Sequence, residues 1–164
     1  MNLNKKYITL ITIFTSLFSF LDLIKNPNYK RAMKNSTISK KIKLILLLAI
    51  HNIIYFGVYF SLPLFLCYFN QVTNKHLYIY LIFLIAVPLH WYTNNNRCWF
   101  TVKQNELLGV DIDTGFRDFF AILFDTDISS NKGDISLFRN LIYYIYLLFS
   151  FIITFYLIYV KSKE

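Results

Sequence analysis

Four long apolar stretches alternate with polar ones along the chain, at residues 7–24, 42–69, 77–93 and 141–160. Each is rich in Ile, Leu, Phe and Tyr and holds few polar side chains. A hydrocarbon layer of roughly 30 Å needs about 20 helical residues to cross, so runs of this length predict membrane-spanning helices. The predicted fold class is all-α: an integral membrane bundle of four helices, or three if the first run lies on the surface. That first run ends with Asp22 inside it and follows Lys5 and Lys6, a start that a signal peptide shares. Small residues at cleavage-site spacing are missing around Ser16 and Ser19, which favours an uncleaved helix.

The polar stretches set the order of crossings. Asn26-Pro27-Asn28 should stop the first helix, because proline pushes its predecessor out of helical geometry. A basic loop then runs from Lys25 to Lys43, carrying Lys25, Lys30, Arg31, Lys34, Lys40, Lys41 and Lys43 with no acid. Short loops rich in Lys and Arg stay on the cytoplasmic side. There the glycosylation-like triplet Asn35-Ser36-Thr37 would remain unmodified. Pro63 allows a kink in the second run, and Pro88 stands near the end of the third. If the second and third runs both cross, residues 94–140 return to the side of the basic loop. That region holds Glu106, Asp111, Asp113, Asp118, Asp125, Asp127 and Asp134, which could pair with the loop at ~0–1 kcal/mol each.

Within residues 94–140 a short helical cap is expected. Thr101-Val-Lys-Gln104 fits a capping box, and Gly109 suits a helix end. Further on, Phe116, Phe119, Phe120, Leu123 and Phe124 recur at helical spacing. They predict an interfacial amphipathic helix lying on the membrane or the bundle.

Composition agrees with this reading. The 164 residues leave room for a single domain, spanning 1–164, with 56% hydrophobic and 20% aromatic residues. A net charge of +8 is met by basic loops touching anionic lipid. Nucleic acid is not an expected partner, because no basic stripe with interleaved aromatics occurs outside the apolar runs. The expected partners are the lipid bilayer, other membrane proteins or further copies of the chain.

Candidate chemistry gathers at the end of the third run, where His90, Trp91, Asn94, Arg97, Cys98 and Trp99 cluster. His90, Cys98, Asn94 and Arg97 are the candidate catalytic residues. His51 and His90 are the candidates for holding a cofactor, since an ionisable side chain within a span must find a partner there. The plainer alternative is a neutral imidazole hydrogen-bonded to Asn52, a carbonyl or a tyrosine. No metal site and no cofactor is expected: no H-x-x-H or C-x-x-C spacing occurs, and two His and one Cys define no coordination geometry. Cys67 and Cys98 should stand at opposite faces, too far apart for a disulfide. Asp111-Ile-Asp113-Thr-Gly115 falls short of both a calcium loop and a phosphotransfer motif. No P-loop, G-x-S-x-G or H-E-x-x-H is present.

The pattern His90-Trp91-x-x-Asn94-Asn95-x-x-Cys98-x-x-Thr101 resembles the core of a family of small multi-pass membrane proteins from bacteria and large DNA viruses. The resemblance covers about twenty residues and implies a membrane protein, with no activity attached. Phe100 replaces the family's aliphatic residue, and Gln104 replaces its glutamate, which argues against acid/base chemistry at that position. Two functions follow as expectations. The first is a structural or interaction component of a cellular or viral membrane. The second is a membrane-embedded enzyme or cofactor binder working through the His90–Cys98 junction. A transporter fits less well, because the spans carry little polar lining.

Overall fold

The computed structural model of the chain describes residues 3–94, 98–110 and 134–163, with side chains from residue 141 onward in the last segment. All regular structure among these residues is helical: α1 (Leu3–Lys25), α2 (Pro27–Asn35), α3 (Ile38–Cys67), a 3₁₀ turn (Phe69–Gln71), α4 (Asn74–Thr93), α5 (Trp99–Leu108) and α6 (Asp134–Lys161). Four of them are long and apolar enough to cross a membrane: α1, α3, α4 and the Leu141–Lys161 part of α6. The Phe116–Phe124 stripe, the Asp111–Gly115 motif and Asn95, Asn96 and Arg97 lie outside the described residues.

The basic segment is not a loop. Asn26 ends α1 and also starts α2: its side chain accepts from the Asn28 amide at 3.0 Å, and Pro27 takes the first helical position. Proline is well suited there, since its missing N–H would have had no intrahelical acceptor and its fixed φ is already helical. The dipeptide that predicts a stop is therefore a stop followed by a restart. Thr37 then caps α3, accepting from the Lys40 amide at 3.4 Å, so α3 begins at Ile38, ahead of the predicted 42.

Helix α3 is the hub. Its most extensive partner is α1, it also touches α4 and α5, and Leu44 and Leu48 pack it against Tyr29 and Ala32 of α2. The α1–α3 seam is aromatic: Phe14 lies 4.6 Å from Phe60, and Phe18 lies 5.1 Å from Phe56, centroid to centroid. Gly57 fits this seam, with the Tyr7 hydroxyl 3.5 Å from the place a Cβ would occupy. Helices α4 and α6 form the second pair, with Leu77, Tyr80, Leu84, Leu147 and Leu157 buried in one cluster with Val58, Leu62 and Phe65 of α3. A third cluster, Tyr29, Ala32, Leu44 and Leu48, seats α2 and α5 on the first half of α3.

Pro63 is accommodated inside α3 without ending it. Proline offers no N–H to the carbonyl four residues earlier, here Tyr59, and a free carbonyl in hydrocarbon is costly. The Tyr146 hydroxyl of α6 donates to that oxygen at 2.6 Å. Tyr80 of α4 donates to the adjacent Val58 carbonyl at 2.8 Å. Two tyrosines from the second helix pair thus serve the backbone of the first where its ladder is interrupted.

The outside is apolar. Phe20, Ile82, Leu148, Phe155 and Tyr156 are all exposed, an exterior suited to acyl chains. The helix ends divide into two groups. The α1 C-terminus, α2, the α3 N-terminus and α5 meet at one end. Leu3, Gln71, Asn4 and His76 meet at the other, where the Leu3 amide donates to Gln71 at 2.8 Å and His76 Nε2 lies 3.0 Å from Asn4 Oδ1.

Candidate functional site

The junction after α4 is built by α5 folding back onto α3. Helix α5 starts at Trp99 with Cys98 at its N-cap. Thr101 therefore stands within the first turn and Gln104 in the interior, so the predicted Thr101–Gln104 box is not the cap. The cap comes from α4: the Trp99 amide donates to His90 Nε2 at 2.9 Å. That bond occupies the nitrogen His90 would need as a base or ligand and leaves its proton on Nδ1. The far end matches expectation. Gly109 has φ 69°, the Val110 amide reaches Asn105 O at 3.1 Å, and the Gly109 amide reaches Glu106 O at 3.3 Å, a Schellman closure.

The residue that meets the thiol is His51, across 47 positions of sequence. Cys98 Sγ stands 3.6 Å from His51 Nε2, within hydrogen-bonding distance for sulfur. His51 is 7% exposed and Cys98 is half-buried. The Phe100 ring lies 6.0 Å from the imidazole. Gln104 is wholly buried, its carboxamide against His51, with no hydrogen bond of normal geometry to any described side chain. Asn105 beside it is also wholly buried. The residue after His51 on α3, Asn52, donates to Ser19 of α1 at 2.9 Å, so the interior here is polar on both sides of α3.

Asp22, Asn26 and Tyr29 continue the buried polar set at the α1–α2 corner. Asn26 Nδ2 approaches Asp22 Oδ1 at 3.4 Å. Burial, with the Asp22 carboxylate nearby, pushes the Tyr29 phenol well above its ordinary range.

Of the candidate residues, Cys98 and His51 come together, and His90 is a neighbour that holds the α5 start. Asn94 ends α4, its amide on Trp91 O at 3.1 Å. Arg97 lies outside the described residues. Cys67 is free and exposed at the far end of α3, about 24 Å from the level of His51 at 1.5 Å per residue, in keeping with the expected separation of the cysteines. Glu106, the one side chain described among the acids of residues 94–140, pairs with Lys103 of its own helix at 2.7 Å and not with the basic segment. No group of three metal-ligating side chains occurs among the described residues. A cleft of about 410 Å³, lined by Leu3, Asn4, Gln71 and His76, lies at the opposite end and does not include the thiol.

Sequence proximity pairs His90 with Cys98, whereas the fold pairs His51 with Cys98. A signal for this was present. Phe100, Gln104, Leu107 and Leu108 share one face of α5, as Leu44, Leu48, His51 and Asn52 share one face of α3. A glutamine within an otherwise apolar stripe marks a buried polar contact.

Fold and site together define, among the described residues, an all-helical bundle with four helices long and apolar enough to cross a membrane and a polar junction at one end. Comparisons with family models, with curated proteins and with solved structures each find no match to the chain.

Proposed function

We propose that the chain works within its bilayer as a structural or interaction component of a cellular or viral membrane, with α2 and the 94–140 region on the cytoplasmic side. The observation that carries this is the apolar exterior of the bundle, along α6 above all, where Leu148, Ile152, Phe155 and Tyr159 are exposed at helical spacing. Such a face meets lipid or the helices of neighbouring membrane proteins. The orientation rests on Lys30, Arg31, Lys34 and Lys43, exposed on a segment without acids. A photoreactive residue in place of Phe155 tests it in native membranes. A discrete protein adduct is expected, and adducts with lipid alone would contradict the interaction.

A second function is favoured by one contact, Cys98 Sγ to His51 Nε2: a membrane-embedded thiol centre at the same interface. A thiol beside a neutral imidazole that can take its proton, and at a helix N-terminus, has the arrangement of an activated nucleophile. With Cys67 replaced by serine, Cys98 should alkylate about tenfold or more faster than Cys67 does in the Cys98→Ser chain. His51→Gln should remove that advantage. Equal rates in all three proteins would reduce the contact to packing.

A further inference from the structure

We propose that Cys98 accepts a long-chain acyl group, with His51 as its base; this rests on the thiol centre just described. Three features of the site select acyl transfer.

The first is depth. His51 lies eight residues beyond Lys43 on α3, so the thiol stands about 12 Å inward of the last basic side chain at 1.5 Å per residue. A fully hydrated substrate does not reach such a place, whereas an amphiphile anchored by its own chain presents its carbonyl near there. The second is the rim. Leu89, Tyr92 and Trp99 are exposed around the junction, an apolar approach for a chain. Lys30, Arg31 and Lys34 are exposed on α2, which packs against α5 and supplies cations for a phosphate-bearing leaving group or headgroup. The third is the reacting geometry. Cys98 opens a helix of ten residues, whose first-turn amides at Phe100 and Thr101 have no intrahelical acceptor. They are donors for an oxyanion formed beside the sulfur. Gln104, wholly buried, packs its carboxamide beside the imidazole that meets the thiol.

The step balances without an oxidant or reductant. His51 takes the Cys98 proton as Sγ attacks the acyl carbonyl carbon. The tetrahedral oxyanion faces the α5 amides. Collapse breaks the bond from that carbon to the donor's sulfur or ester oxygen, and the leaving group takes the proton back from His51. The product is a thioester on Cys98 and a free thiol or alcohol. Coenzyme-A thioesters and glycerolipid esters both supply this chemistry.

The full chain, purified into nanodiscs, is incubated either with alkyne-tagged palmitoyl-coenzyme A or in discs containing alkyne-tagged phosphatidylcholine. Hydroxylamine-labile label is then mapped by mass. Label on Cys98 is expected from at least one donor, and which one responds identifies the source. Its rate should exceed that of Cys67 in the Cys98→Ser chain by about tenfold or more and fall at least tenfold in His51→Gln. Should His51→Gln not accumulate, Gln104→Leu keeps both reacting groups and should slow labelling several-fold without abolishing it. A Cys98 that alkylates fast and depends on His51, yet takes no label from either donor, would overturn acyl transfer and leave the thiol centre standing. A Cys98 that alkylates no faster than Cys67 would overturn both.

Discussion

At the scale of the residue, burial of polar groups separates this bundle from a simple apolar one. Tyr29 is wholly buried at the α1–α2 corner, and its hydroxyl has no hydrogen-bond partner among the described residues. Replacing such a group by an apolar one of the same shape is close to neutral. Tyr29→Phe should therefore change stability at neutral pH by less than about 0.5 kcal/mol, while Tyr29→Ala leaves a cavity costing about 3–5 kcal/mol. The phenol's pKa is raised in the fold by burial and by Asp22. The folded chain therefore holds a proton that the unfolded chain releases above about pH 10, and stability falls as pH rises past that point. Tyr29→Phe removes this loss. Melting curves in detergent should show the variant drawing ahead of the wild type only above pH 10. A gap that stays constant with pH would mean that Asp22 and burial do not act on this hydroxyl.

At the scale of the element, the spans were legible and their service contacts were not. The apolar runs located α1, α3, α4 and α6 because a membrane span needs an unbroken run, which local sequence carries by itself. The restart at Pro27 was missed because Asn-Pro ends one helix and begins another with the same chemistry. The α5 start was misplaced because its cap is His90, from a different helix. The tie between Tyr146 and the Tyr59 carbonyl is likewise invisible locally, joining residues 87 apart at 2.6 Å. It predicts a coupling. Tyr146→Phe alone leaves the carbonyl opposite Pro63 without a donor, at about 1–2 kcal/mol for a membrane-buried hydrogen bond. Pro63→Ala restores the backbone N–H, so Tyr146→Phe in that background should cost clearly less. A double-mutant cycle by thermal or detergent unfolding measures the difference. Strict additivity would mean that the tyrosine does not substitute for the missing amide.

At the scale of the whole molecule, α3 organises two ends of different character. One end gathers the exposed cations of α2, the Cys98–His51 contact and the buried Gln104 and Asn105. The other gathers the start of α1, the end of α6, the 3₁₀ turn and the Asn4–His76 contact. That residues 25–43 and α5 belong together followed from counting crossings. Which histidine would face the thiol did not, because it depends on α5 packing back on α3, a long-range choice that no local spacing encodes. The central claim is that four helices cross the bilayer and place these two ends on opposite sides. It is tested most directly by single cysteines at Thr37, Glu106, Asn70 and Ser162, all exposed, in a chain with Cys67 and Cys98 replaced by serine. In sealed cells an impermeant maleimide should label Asn70→Cys and Ser162→Cys at once, and Thr37→Cys and Glu106→Cys only after permeabilisation. Labelling of Thr37→Cys together with Asn70→Cys from the same side of an intact membrane would contradict the crossing of α3 and the account built on it.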